Sequence, residues 1–164
     1  MGVTLEKDPS AARARLTAAQ DQLAKGLDDL RELARGIHPA ILTDRGLGPA
    51  LQGLLARAPV PIEITELPQE RLAGPVEAAA YYVVAEAITN VAKYARASYV
   101  TVSIRRSNGS ATVVVTDDGV GGADPALGTG LRGLADRLEA LEGRLEVDSP
   151  TARGTRITAE IPSP

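Results

Sequence analysis

The sequence has no cysteine, no phenylalanine and no tryptophan, and a single histidine, His38. Without thiols there is neither a disulfide framework nor a thiolate metal site, which fits a reducing compartment. One imidazole excludes a multi-histidine metal cluster. With aromatics at only 2%, the core must be built from Leu, Val, Ile and Ala, and at 44% apolar residues there are enough of them. No run approaches the roughly 20 apolar residues of a membrane span. The opening MGVTLEKDPS is polar and irregular, a linker or tag remnant rather than a secretory leader. Positive charge is not in excess either: 18 Lys and Arg stand against 21 Asp and Glu. No general attraction to nucleic acid or to an anionic membrane is therefore expected. The expectation is a soluble, cytoplasmic segment, whether or not a parent protein is membrane-anchored.

What is present is strongly patterned. From Ala11 to about Ile41 an apolar stripe runs through Leu16, Leu23, Leu27, Leu30, Ala34, Ile37 and Ile41. Gln20 fills the missing seam position, and the spacing is heptad-like. Such a stripe is covered either by its own domain or by a second copy in a dimeric bundle. Pro39 limits this helix near Ile37 or His38. The segment DRGLGPALQGLLARAP reads as a shorter helix and VPIEITEL as a strand. Gly74-Pro75 opens a long helix through to Ala97, with Val76, Ala80, Val83, Val84, Ala87, Ile88 and Val91 on one broad face. Two strands joined by Asn108-Gly109 follow, then a glycine loop, a helix ended by Gly143, and a final strand pair. This order predicts a two-layer α/β sandwich with a mixed sheet over residues 58–164, preceded by a helical segment over 11–57. It is not a doubly wound fold, and no GxxxxGK[ST] loop exists.

The glycine loop lies in TDDGVGGADPALGTGLRGL, residues 116–134, which carries six glycines. It is either a long surface loop or a place where bare backbone meets a nucleotide. Asp117, at a strand end, can accept a hydrogen bond from an exocyclic amine, and Gly119 and Gly121 let a ring pack on backbone. Gly128, Thr129, Gly130 and Leu131 open a helix whose first amides can hold phosphate. On the long helix, Glu86, Asn90 and Lys93 share one polar face. Taken alone, that face is a solvated helix surface.

Together, in this order, EAITN, DDGVG and GTGL resemble the N, G1 and G2 boxes of the GHKL ATPase superfamily, which includes gyrase-type ATPases and histidine kinases. The likeness covers residues 60–162. EAITNVAKYARAS and GLRGLADRLEALEGRLEV are similar to sensor histidine kinases of the NarL-partnered class. ELARGIHPAILTDRGLGPAL looks like the second helix of their dimerisation and phosphotransfer domain.

The resemblance implies a Bergerat-type fold binding ATP with Mg²⁺. Asp117 would bind the adenine amine with support from Thr155, and Asn90 would ligate Mg²⁺. Glu86 would act as base or orienting acid, and Lys93 would neutralise phosphate charge. Arg132 would be a phosphate neighbour. Tyr94 stands by the nucleotide where a His is common. The implied partners are a second copy of the chain through the N-terminal helix, and a response regulator. His38-Pro39 matches a downstream turn of that class, so the phosphoacceptor histidine is expected upstream. The rival readings are a serine kinase of the anti-sigma-factor type and a non-catalytic interaction module on the same fold.

Overall fold

The computed structural model describes residues 40–124 and 129–163. The stripe over residues 11–39, with His38, and Gly128 lie outside the described residues. Two short helices come first, α1 (Ala40–Arg45) and α2 (Leu47–Leu55). The sequence predicts one helix within residues 44–59, of which α2 is the body; α1 is not predicted. Gly46, at φ 83°, separates α1 from α2, because a residue at positive φ cannot continue a right-handed turn. Ile41, the last member of the predicted stripe, lies on α1 and is exposed.

Strand β1 (Ile62–Glu66) leads to α3 (Gly74–Asn90), with Pro in its first turn. The predicted continuation to Ala97 is replaced by a π-helical turn, Val91–Ala95, closed by Arg96 at φ 50°. Then come β2 (Val100–Ser107), β3 (Ser110–Asp117), α4 (Thr129–Glu139), β4 (Arg144–Asp148) and β5 (Thr155–Pro162). Asn108 and Gly109 both have positive φ, as a two-residue hairpin turn matching strand twist requires. At the far end of α4 the left-handed position falls on Glu142 rather than on Gly143. Gly143 is needed for another reason: a side chain there would meet the Glu160 carbonyl at 2.6 Å.

The sheet order is β1-β2-β3-β5-β4, with β1 parallel to β2 and all other pairs antiparallel. This is the predicted mixed sheet. Alternate residues on the three central strands (Val100, Val102, Ile104; Ala111, Val113, Val115; Ile157, Ala159, Ile161) are buried. The other face carries partly exposed Thr101, Ser103, Thr112 and Thr158. That is the period-2 signature of a sheet covered on one side. The covering layer is α3, whose predicted apolar face is buried throughout, and α4 through Leu131, Leu134 and Leu138. Arg137 of α4 stacks over the Tyr82 ring of α3 at 5.0 Å. Leu42, Leu47 and Leu51 of α1 and α2 belong to the same core. Each such fully buried Leu contributes about 1.5–3 kcal/mol.

One buried charge ties these layers together. Glu77, in the first turn of α3, is 2% exposed. It accepts Arg71 Nε at 2.7 Å and Nη2 at 2.8 Å, and the Leu72 N–H at 3.3 Å. The same Nη2 also donates to the Leu42 carbonyl of α1 at 3.2 Å, and the Arg71 stem lies across Gly46.

Candidate functional site

Asp117 ends the central strand β3, opposite Val100 of β2 and Thr155 of β5. It is buried, and its Oδ1 accepts the Gly119 N–H at 2.8 Å. A methyl group at Gly119 would overlap the Ala95 carbonyl, so this backbone can come close only as glycine. The Val120 N–H donates to that same Ala95 carbonyl at 2.8 Å. Gly121, at φ 64°, lies where a side chain would strike the Pro150 carbonyl.

The loop is bound to the β4–β5 connection as well. Ala152 N–H donates to the Val120 carbonyl at 2.7 Å, Gly122 N–H to the Ser149 carbonyl at 2.9 Å, and Ala123 N–H to Ser149 Oγ at 2.9 Å. Ser149 Oγ is also 2.9 Å from Thr155 Oγ1. Thr155 was legible as a candidate. Ser149, which links it to the glycine loop, was not, because a serine before a proline reads as an ordinary turn residue.

The neighbouring Asp118 faces elsewhere. It accepts the Ser98 hydroxyl and the backbone N–H groups of Ser98 at 2.8 Å and Tyr99 at 3.0 Å. The Ser98 hydroxyl first, then the two amides, hold its carboxyl below the usual carboxylate value. Tyr99 in turn donates its hydroxyl to Glu63 on β1, which raises the phenol above its ordinary value.

On the helical side, Glu86 is 8% exposed, which overturns the solvated-surface reading for this residue. Its carboxylate packs on the bare Cα of Gly130, in the first turn of α4, so closely that any side chain there would overlap it. A helix N-terminus favours negative charge at that place. Asn90 is partly exposed one turn beyond, and Lys93 and Tyr94 are exposed on the π-helical turn. Leu131 is buried in the core, which leaves its backbone amide as what it can offer a ligand. Arg132 is exposed in the first turn of α4. Among the described residues no group of three or more acidic or histidine side chains converges as a metal cluster. Helix α3 with its π-helical extension thus touches both glycine segments. Glu86 meets Gly130, and Ala95 meets Gly119 and Val120.

A helix-backed mixed sheet, with a buried strand-end carboxylate on a glycine floor and a glycine-opened helix beside it, defines an ATP-binding α/β class. Residues 76–164 match the histidine kinase-, DNA gyrase B-, and HSP90-like ATPases, and the chain belongs to that family. It is 33% identical to the oxygen sensor histidine kinase NreB of Staphylococcus carnosus, over 85% of this chain and 43% of that protein. An uncharacterized sensor-like histidine kinase of Chloroflexus aurantiacus is 30% identical over 96% of this chain and 29% of its own length. The chain therefore spans less than half the length of these relatives.

In fold it is similar to the blue-light activated histidine kinase of Erythrobacter litoralis (TM-score 0.62, 22% identity, 88% of this chain and 49% of that one). It is likewise similar to the ATP binding domain of PrrB from Mycobacterium tuberculosis (TM-score 0.55, 20% identity, 72% and 91%). This is an ATP-binding domain of the histidine kinase type, and neither rival reading is favoured. No described helix is long and apolar enough to cross a membrane.

Proposed function

We propose that this chain holds ATP with Mg²⁺ and presents the γ-phosphoryl group to a histidine on a dimerisation helix, for relay to a response regulator. The observation that carries the reading is Asp117. It is a buried carboxylate with Oδ1 occupied by the Gly119 N–H, which leaves Oδ2 as an acceptor for the adenine amine. Gly119 and Gly121 let the loop pack its backbone against the Ala95 and Pro150 carbonyls beside Asp117, and Ser149 holds the loop through the Ala123 N–H and links it to Thr155. Thr129, Gly130 and Leu131 open α4 and offer its first amides to phosphate; Gly128, which precedes them in the sequence, and the cations Lys93 and Arg132 are assigned to the same phosphates. Tyr94 borders the nucleotide through its backbone.

The donor set suits Mg²⁺, which needs one or two protein oxygens beside phosphate and water, and Asn90 is the ligand we assign. When bound, the ion neutralises charge on the phosphate oxygens. Glu86 orients the incoming imidazole and takes its proton. A nitrogen–phosphorus bond forms while the bond to the bridging oxygen breaks, and ADP leaves. The acceptor histidine and the response regulator lie outside residues 40–163, and the relatives' names as sensor histidine kinases support their inclusion. The heptad-like stripe is the feature that suggests a second copy of the chain.

The test is calorimetric titration with ADP and Mg²⁺. Asp117→Asn loses the charged acceptor and is expected to weaken ADP binding about 10- to 100-fold. Bound ADP should also raise the wild-type melting temperature by mass action. Unchanged affinity in Asp117→Asn would overturn the adenine assignment.

A further inference from the structure

Asp117 ends β3 and Asp118 follows it, and the two have opposite surroundings. Asp117 is buried beside Gly119, whereas Asp118 lies at the surface and gathers three donors from Ser98 and Tyr99. A carboxylate present only for solubility would be left to water. Ser98 and Tyr99 lead into β2, and they follow the π-helical turn by only a few residues. Arg96 reverses the chain between them at φ 50°. The connection is therefore held at two points: Ser98 and Tyr99 by Asp118, and Ala95 by the Val120 N–H. Ala95's carbonyl is the same atom that bounds Gly119, and Gly119 in turn anchors Asp117.

We propose that Asp118 is a positioning residue for base recognition. By holding Ser98 and Tyr99 it sets where the Ala95 carbonyl stands, and through Gly119 it aims the Asp117 carboxylate. The inference rests on reading Asp117 as the adenine acceptor. It makes a specific demand: Asp118 never touches the base, yet its loss must be felt as lost discrimination between bases, because the misplaced group is the one that reads the amine. A role confined to folding would weaken every nucleotide alike.

The experiment titrates the wild type, Asp118→Ala, Asp118→Asn and Ser98→Ala with ADP and with inosine diphosphate, at one Mg²⁺ concentration. Inosine diphosphate keeps the sugar and phosphates but carries a carbonyl in place of the amine. The wild type should prefer ADP by about tenfold or more. In Asp118→Ala, ADP binding should weaken about tenfold with inosine diphosphate nearly unchanged, so that the preference collapses. Asp118→Asn keeps one accepting oxygen and should retain part of the preference, and Ser98→Ala should move the same way by less.

A wild type without preference refutes the Asp117 reading itself. A preference that survives intact in Asp118→Ala, or equal weakening of both nucleotides, refutes the role given to Asp118. Should Asp118→Ala fail to fold, Asp118→Asn and Ser98→Ala decide the matter by the same ratio.

Discussion

Replacing Arg71 with Met isolates the ion pair beneath α3. The substitution keeps an unbranched apolar stem over Gly46 but removes both bonds to Glu77 and the bond to the Leu42 carbonyl. Glu77 is then a buried charge left with the Leu72 N–H at 3.3 Å. Stripping one partner from a fully buried pair costs about 3–5 kcal/mol. Here the guanidinium side chain is 55% exposed against 3% for the carboxylate, so water already screens one half. The expected loss is therefore reduced to roughly 2–3 kcal/mol. For a chain of this size that corresponds to a fall in Tm of roughly 4–12 °C.

The assay is thermal and urea unfolding of Arg71→Met, Glu77→Leu and the double variant. Glu77→Leu also loses the bond from Leu72, so it is destabilised in its own right. The diagnostic quantity is the coupling: the double variant should be more stable than the sum of the singles predicts, by about 1 kcal/mol or more. Additive losses, or a negligible change in Arg71→Met, would refute the account of Arg71 as a clamp between α1 and α3.

Two further outcomes are expected. Glu86→Gln should leave ADP affinity near wild type while abolishing phosphoryl transfer to a histidine helix supplied in trans. Loss of ADP binding itself would show that Glu86 belongs to the nucleotide contacts instead. The second concerns acid. Asp118's carboxyl is depressed in the folded state, so its contribution is complete above the ordinary value of 3.8 and is lost as pH falls through the folded value. The stability advantage of wild type over Asp118→Asn should thus shrink below about pH 4, and an advantage independent of pH would contradict the hydrogen bonds from Ser98 and Tyr99.

Much of this fold is readable because its elements announce themselves locally. Asn108-Gly109 marks the hairpin by the only backbone geometry that suits it, and the alternation in β2, β3 and β5 marks a sheet covered on one side. The break at Gly46 and the π-helical turn were not readable. Each meets a residue distant in sequence, the Arg71 side chain at Gly46 and the Gly119 loop at Ala95, and no local pattern shows such a neighbour. The same division applies to the site. Glu86, Asp117 and the glycines stand out by type and spacing, whereas the burial of Glu86 follows from the approach of Gly130, more than forty positions away. Asp118 was visible only as half of an acidic pair, and Ser149 not at all. Their partners, Ser98, Tyr99 and Thr155, come from other elements, and no periodicity announces such pairings.

The bonds between residues 120–123 and 149–152 bear on how this domain can be recombined. Gly121 and Pro150 are shaped against each other, as are Gly154 and Asp117, so neither segment has a conformation that is its own. A chimera that takes the glycine loop from one parent and the β4–β5 connection from another separates two halves of a single mould. Crossovers at the Asn108-Gly109 turn keep the halves together, since both lie on its C-terminal side, whereas a crossover within α4 divides them. For breeding new nucleotide preferences into this fold, the unit of inheritance is therefore residues 117–155 as a block, including a loop that contributes no candidate ligand before Thr155.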